Sequence, residues 1–253
     1  MSRHPRMEPP DVAAWRAESV RVTAFPSADV MLAPDTWWKD VVGTEAAVET
    51  RRKGRLVHQD QGDALGGVMT LTVQPGRIDW SLGAKMPRDE LLQDFPALGG
   101  VVDTLPKFID LLIGWVPASP PIGRLALGVN ARVAVPDRRE AYGLLDALLP
   151  AVEVDPASTD FQYRINRPGD SGLDIPGLLI NRLSTWAAIR LDLVDLAAGV
   201  KRFRAASTFA IRAELDVNTT PDFPGPLPAE RRLDLLREFM RMSLEILTEG
   251  ERP

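Results

Sequence analysis

The sequence predicts an α+β protein: two fused ferredoxin-like-type halves with a mainly antiparallel sheet and helices covering one face. Three observations carry this expectation. Several β-rich runs alternate apolar with polar residues, the period of a half-buried strand. Other segments space their apolar residues at three and four, the period of a one-faced helix. One tight turn, Gln74-Pro75-Gly76-Arg77, joins two such strands as a hairpin.

Residues 1–18 are polar and Pro-rich and read as a flexible N-terminal arm, with Trp15 as its large apolar anchor. A strand follows over Ser19–Leu32, where Val20, Val22 and Ala24 alternate with Arg21 and Thr23. Pro34-Asp35-Thr36 opens a short helix that runs to Val42 and stops at Gly43. Ala46–Val57 reads as extended chain carrying the basic cluster Arg51, Arg52, Lys53 and Arg55, and Gln59–Gly67 as a loop rich in Asp and Gly. In the hairpin, Val68–Val73 and Ile78–Leu82 flank a turn with Pro before Gly, as a type II turn requires. Leu105, Phe108, Ile109, Leu112, Ile113 and Val116 then mark an amphipathic helix. Pro106 fits its first turn, where a missing N–H costs nothing. Leu125–Val135 is the next strand. This order makes 19–136 a βαββαβ-like half.

The second half, 137–253, reads as αβββα. Asp137 followed by Glu140 has the spacing of a capping box, and Ala141, Leu144, Leu145 and Leu148 build a buried stripe. Three strands follow. Phe161, Tyr163 and Ile165 alternate with polar residues. Ala187, Ile189, Leu191 and Leu193 alternate with Trp186, Ala188, Arg190 and Asp192, which puts Trp186 on the polar side. Ile211, Ala213, Leu215 and Val217 form the apolar side of the last strand. A final helix spans about 229–247.

Composition narrows the chemistry. The chain has 253 residues and a net charge of −5, with no cysteine and two histidines. Disulfides, thiolate metal sites and cysteine nucleophiles are excluded. His4 and His58 offer little material for histidine metal sites or general-base chemistry. An acidic chain lacks the usual electrostatic footprint of a nucleic-acid binder, so that partner is not expected. No apolar stretch reaches a membrane span, and the start lacks a signal peptide, which makes the cytoplasm the expected location.

Several motifs invite chemical readings. Gly169-Asp170-Ser171-Gly172 matches a serine-protease signature, but a triad needs a base that reaches the serine, and His58 sits in no such context. The bland reading is a Gly/Pro-rich loop. Asp192, Asp195, Glu214 and Asp216 lie on or near neighbouring strands, with Arg190 and Arg212 among them. They suit either Mg²⁺ and acid–base work or a solvated, self-neutralised sheet face. Asn and Arg recur together in Asn130-Ala131-Arg132, Ile165-Asn166-Arg167 and Ile180-Asn181-Arg182. Arg offers a bidentate fork and Asn bonds backbone or ligand.

These segments, with Arg124–Arg132, Phe161-Gln162-Tyr163, Gly177–Arg182 and Glu214–Val217, resemble a bacterial family of uncharacterised, sporadically distributed proteins of about this length. Where the family pattern favours an aromatic before the first Asn, this chain has Gly128-Val129. The resemblance implies no catalytic residues. Its patchy distribution suits a mobile or defence-related cassette.

The expected function is that of a non-enzymatic binding or accessory protein, with no cofactor and no metal. It would hold another protein, including a second copy of itself, or a small anionic ligand. The contacts expected are Arg132, Asn181, Arg182, Trp186, Arg190 and Arg212 on the exposed sheet face, or the basic patch Arg51, Arg52, Lys53 and Arg55. The alternative is a carboxylate- and arginine-based enzyme, Mg²⁺-assisted, acting on a phosphorylated or nucleotide substrate.

Overall fold

The structure, a computed structural model, describes residues 7–27, 30–52, 57–86, 95–195 and 202–251. The first half contributes β1 (Arg16–Pro26), α1 (Trp37–Val42), β2 (Val48–Arg52), β3 (Val57–Ala64), β4 (Gly67–Gln74) and β5 (Arg77–Gly83). It continues with the short β6 (Gly99–Gly100), α2 (Val101–Leu111), α3 (Trp115–Ala118) and β7 (Ile122–Val135). The second half contributes α4 (Arg138–Leu148), β8 (Gln162–Asn166), β9 (Gly169–Asp170), β10 (Leu179–Asp195), β11 (Arg202–Thr219) and α5 (Arg232–Glu249).

These strands form one antiparallel sheet in the order β2-β3-β4-β5-β1-β7-β11-β10-β8, with β6 added to β1 and β9 to β10. The mixed class and the antiparallel pairing agree with the sequence reading. The sheet does not divide at residue 136. β7 pairs with β11 from Val135 opposite Phe209 to Ala126 opposite Asn218, so the two halves share a continuous hydrogen-bonded surface.

Local chemistry explains most boundaries. Pro75-Gly76 makes the β4–β5 turn, with Gly76 at φ 74° as the turn demands. Asp137 caps α4 through its Oδ1, which accepts from the Glu140 N–H at 2.9 Å. Three expectations need correction. Gln59–Gly67 is not a loop: it is β3 followed by a tight Leu65-Gly66 turn with both residues at positive φ, the conformation that suits the twist of a two-residue hairpin. α2 starts at Val101, because Gly99-Gly100 pairs with β1 and hands the chain straight into the helix; Pro106 therefore lies inside it rather than in its first turn. The boundary drawn at residue 18 also falls within β1. Trp15, just before that strand, is fully buried and donates its Nε1–H to the Leu247 carbonyl at 3.0 Å.

The helices lie on one face. α2 packs on β1 and α5, α4 on β10 and β11, and α5 on β7 and β11. Cross-strand register aligns the core: Val22 sits opposite Trp80 on β5 and Leu127 on β7, and Leu127 opposite Val217 on β11. All four are buried. Trp38 of α1 stacks on Trp80 at 6.3 Å between ring centroids and lies against Gly62, where a Cβ would stand 2.9 Å from the indole. Among the described residues no helix is long and apolar enough to cross a membrane.

Candidate functional site

A strand alternates its side chains, so the residues between the core positions emerge on the other face. Among the described residues no helix packs on that face between β4 and β8, and there it is concave. From β4 to β8 it encloses a groove of about 720 Å³ whose floor includes Gly128, Asn130 and Thr185 and whose walls include Thr72, Ser81 and Arg164. Among the described residues no aromatic side chain lines it.

Charges on this face form three groups. At one end the β-bulge between Ala17 and Ser19 sets Glu18 toward the groove side. Its carboxylate lies 2.9 Å from Arg212 Nε and 3.6 Å from Arg132 Nε, and Arg212 reaches Glu214 at 3.1 Å. In the middle, Asp79 accepts from Thr23 Oγ1 at 2.6 Å and from Arg77 at 2.7 and 3.1 Å; Arg21 stands 3.8 Å away. At the other end runs an amide ladder. Asn166 donates to Asn181 at 2.9 Å, Asn181 to Asn218 at 3.1 Å, and Asn218 to Asp216 at 2.9 Å. Arg124 donates to the Asn218 side chain at 3.2 Å while lying 4.8 Å from the Phe25 ring centroid.

Gly128, in the groove-facing phase of β7, has a role here. The Arg21 guanidinium lies over it, 3.6 Å from where a Cβ would stand. A side chain at 128 would compete with Arg21 for the groove floor. Comparison with protein-family models, curated proteins and solved structures finds no match. The site is therefore read from its own residues.

The residues singled out from sequence are dispersed. Arg212 and Asn181 are on the groove face, in the ion-pair group and the amide ladder respectively. Arg132 is on that face but only 2% exposed; it bonds the Phe95 carbonyl, stacks over the Phe95 ring and pairs with Glu18. Arg182 faces the helices and meets Glu245 of α5 at 4.0 Å. Trp186 also faces the helices and is fully buried, edge-on to Trp15 at 6.0 Å, with Nε1–H donated to Ser184 Oγ at 2.8 Å. This corrects the expectation of an outward Trp186: the helix-facing register of β10 is Arg182, Ser184, Trp186 and Ala188. Arg190 is exposed, but it and Asp192 lie on the opposite face of β10–β11 from Glu214 and Asp216. The carboxylates that the enzyme reading grouped together are thus divided between faces.

Arg51 is exposed and pairs with Glu49 and with Asp35, the latter at 3.1 Å. Arg52 closes β2, while Lys53 and Arg55 lie outside the described residues. Close by, Glu49, His58 and Asp60 have donor atoms within 4.8 Å of one another and, among the described residues, are the group that could hold a divalent ion. His58 Nε2 lies 2.7 Å from Asp60 Oδ2, and Arg51 already gives Glu49 a cationic partner. Ser171 donates to Glu238 of α5 at 2.8 Å, and Glu238 also accepts from the Gly172 N–H at 2.5 Å. That tie anchors the Gly-Asp-Ser-Gly loop beneath α5. His58, on β3, lies on the far side of the sheet order from it.

Sequence reasoning missed Arg21, Arg124 and Arg164 as groove residues. The signal was present: each occupies the polar phase of its strand. What was missing was the pairing of β1 with β7 and of β8 with β10, which brings those phases onto one concave face.

Proposed function

We propose that the chain is a non-enzymatic binding or accessory protein that receives its partner in the concave face of the sheet. The observation that carries this reading is the open groove, built by seven neighbouring strands and lined mainly by hydrogen-bonding side chains. Ligand pockets for small molecules are mostly apolar with a few polar groups. This one is open and more polar than apolar, as a surface that meets another polar surface would be. The enzyme reading has less support, because its carboxylates occupy opposite faces and Glu214 is already paired with Arg212. The resemblance to sporadically distributed bacterial proteins fits an accessory role in a mobile or defence-related cassette.

Site-specific photocrosslinking tests the location. A photoreactive residue at Thr185, on the groove floor, is expected to capture a defined partner in the host cell, and one at Arg241 on the outer side of α5 is not. Equal capture from both positions, or none from Thr185, would remove the reading.

A further inference from the structure

At the β2–β3 edge of the sheet, three metal-ligating side chains converge. Glu49 of β2 stands opposite Asp60 of β3, and His58 is two residues from Asp60 on the same face. Asp60 and His58 lie opposite Leu71 and Val73 of β4, both buried, whereas the intervening Thr72 lines the groove. The trio is therefore on the helix-facing side and independent of the groove.

The donor atoms of the three lie within 4.8 Å of one another. Around one ion, at ligand distances of about 2.1 Å, neighbouring donors stand about 3 Å apart and opposed donors about 4 Å. His58 Nε2 and Asp60 Oδ2, at 2.7 Å, nearly have the first separation. Glu49 is exposed at the sheet edge and closes the set by rotation of its side chain. The other two are held in place: side-chain exposure is 12% for His58 and 7% for Asp60. Among the described residues, His58 is the one hydrogen-bond partner of Asp60. A neutral imidazole compensates a buried carboxylate poorly, and such a group is best matched by a cation. The adjacent guanidinium of Arg51 pairs with Glu49 and Asp35 instead.

We infer that Glu49, His58 and Asp60 form a divalent-cation site. One imidazole with two carboxylates suits a first-row ion such as Zn²⁺ or Mn²⁺ better than Mg²⁺ or Ca²⁺, which favour all-oxygen sets. His58 and Asp60 supply the covered wall, and Glu49 the solvent side through which the ion enters. Arg51 competes for Glu49 and swings away as the ion binds. His58 ligates as the neutral ring, with its proton on Nδ1. Three protein donors leave at least one position for water or an incoming ligand.

The chain has two imidazoles, His4 and His58, so imidazole NMR on the full chain reads the site directly. Zn²⁺ is expected to shift the Nε2 resonance of His58, and Mn²⁺ to broaden that ring, with His4 unaffected; a His4→Gln variant assigns the signals. The Tm should rise with Zn²⁺ or Mn²⁺ and not with equal Mg²⁺ or Ca²⁺. Glu49→Gln, at an exposed position, should weaken Zn²⁺ binding on the order of tenfold or more, while Asp63→Asn, exposed on the same strand, leaves it unchanged. Arg51→Gln should tighten it roughly threefold, the scale of an exposed ion pair. A purely structural trio would show no such gain. No response of His58 to either ion overturns the inference. A His58 ring that keeps both protons throughout the titration would also overturn it, leaving a plain His–Asp ion pair. Equal response of both imidazoles, or affinity indifferent to Glu49→Gln, marks an adventitious ion only and rejects the site.

Discussion

Ser184 donates its hydroxyl to Glu251 Oε1 at 2.5 Å and accepts the indole N–H of Trp186 at 2.8 Å. One small side chain thus satisfies a buried tryptophan and a buried carboxylate from the end of the chain. Ser184→Ala leaves both without that partner. A buried polar group stripped of its bond costs about 1–3 kcal/mol. The expected loss is therefore about 2–4 kcal/mol in urea unfolding, and unchanged stability would show that the network contributes nothing.

Arg232 is the second buried polar centre. It is 4% exposed, and burial pushes its guanidinium down from the usual value. It donates to the Leu227 carbonyl at 3.2 Å, to the Ser119 carbonyl at 2.9 Å and to the Pro120 carbonyl at 3.2 Å. These bonds tie the start of α5 to the end of α3. Arg232→Ala is expected to lose about 2–3 kcal/mol in stability, on the scale of hydrogen bonds to charged groups. Arg232→Lys, a point charge without the planar fork, should recover part of that loss in the same measurement.

Trp186 gives a direct choice between surface and core. Its full burial predicts that Trp186→Ala costs about 3–5 kcal/mol, the range for large-to-small changes in a packed interior. A midpoint in chemical denaturation close to that of the unsubstituted protein would place the ring at the surface after all.

Asp192 has a pH signature. The Ser207 hydroxyl, and after it Arg190, hold its carboxyl below the usual carboxylate value. A carboxylate lowered on folding adds stability that is present above its unfolded pKa, about 3.9, and lost as pH falls through the lower folded value. Asp192→Asn should therefore be less stable than the unsubstituted chain at neutral pH, with the difference closing below about pH 4. Ser207→Ala should raise the Asp192 titration midpoint by NMR. A gap that persists unchanged at pH 2 would contradict the assignment.

Much of the local structure was legible from residues alone. Pro75-Gly76 announced its hairpin, Asp137 its helix cap, and Ile211–Val217 its buried phase, because each signal lies within a few residues. β10 was not. Its aliphatic series Ala187, Ile189, Leu191 and Leu193 looks like the core side, yet Ala187 shares the groove face with Arg212, its cross-strand partner. A one-residue shift of phase turns every side chain to the other face of a sheet. Trp186 and Arg182 were misassigned for that reason, and only the pairing with β11 resolves it. The groove itself could not be read from sequence, since Arg21 and Arg164 are brought to one surface by contacts between distant strands.

The β7–β11 seam also fixes how the chain can be cut. A gene divided between codons 136 and 137 would yield two polypeptides, each with a long raw flank of unpaired peptide groups where the other belongs. Such flanks invite adhesion to any passing strand. Neither fragment would persist alone, whereas expressed together they would reassemble along that flank. The groove therefore exists only where both pieces meet, since its lining strands come from either side of the cut.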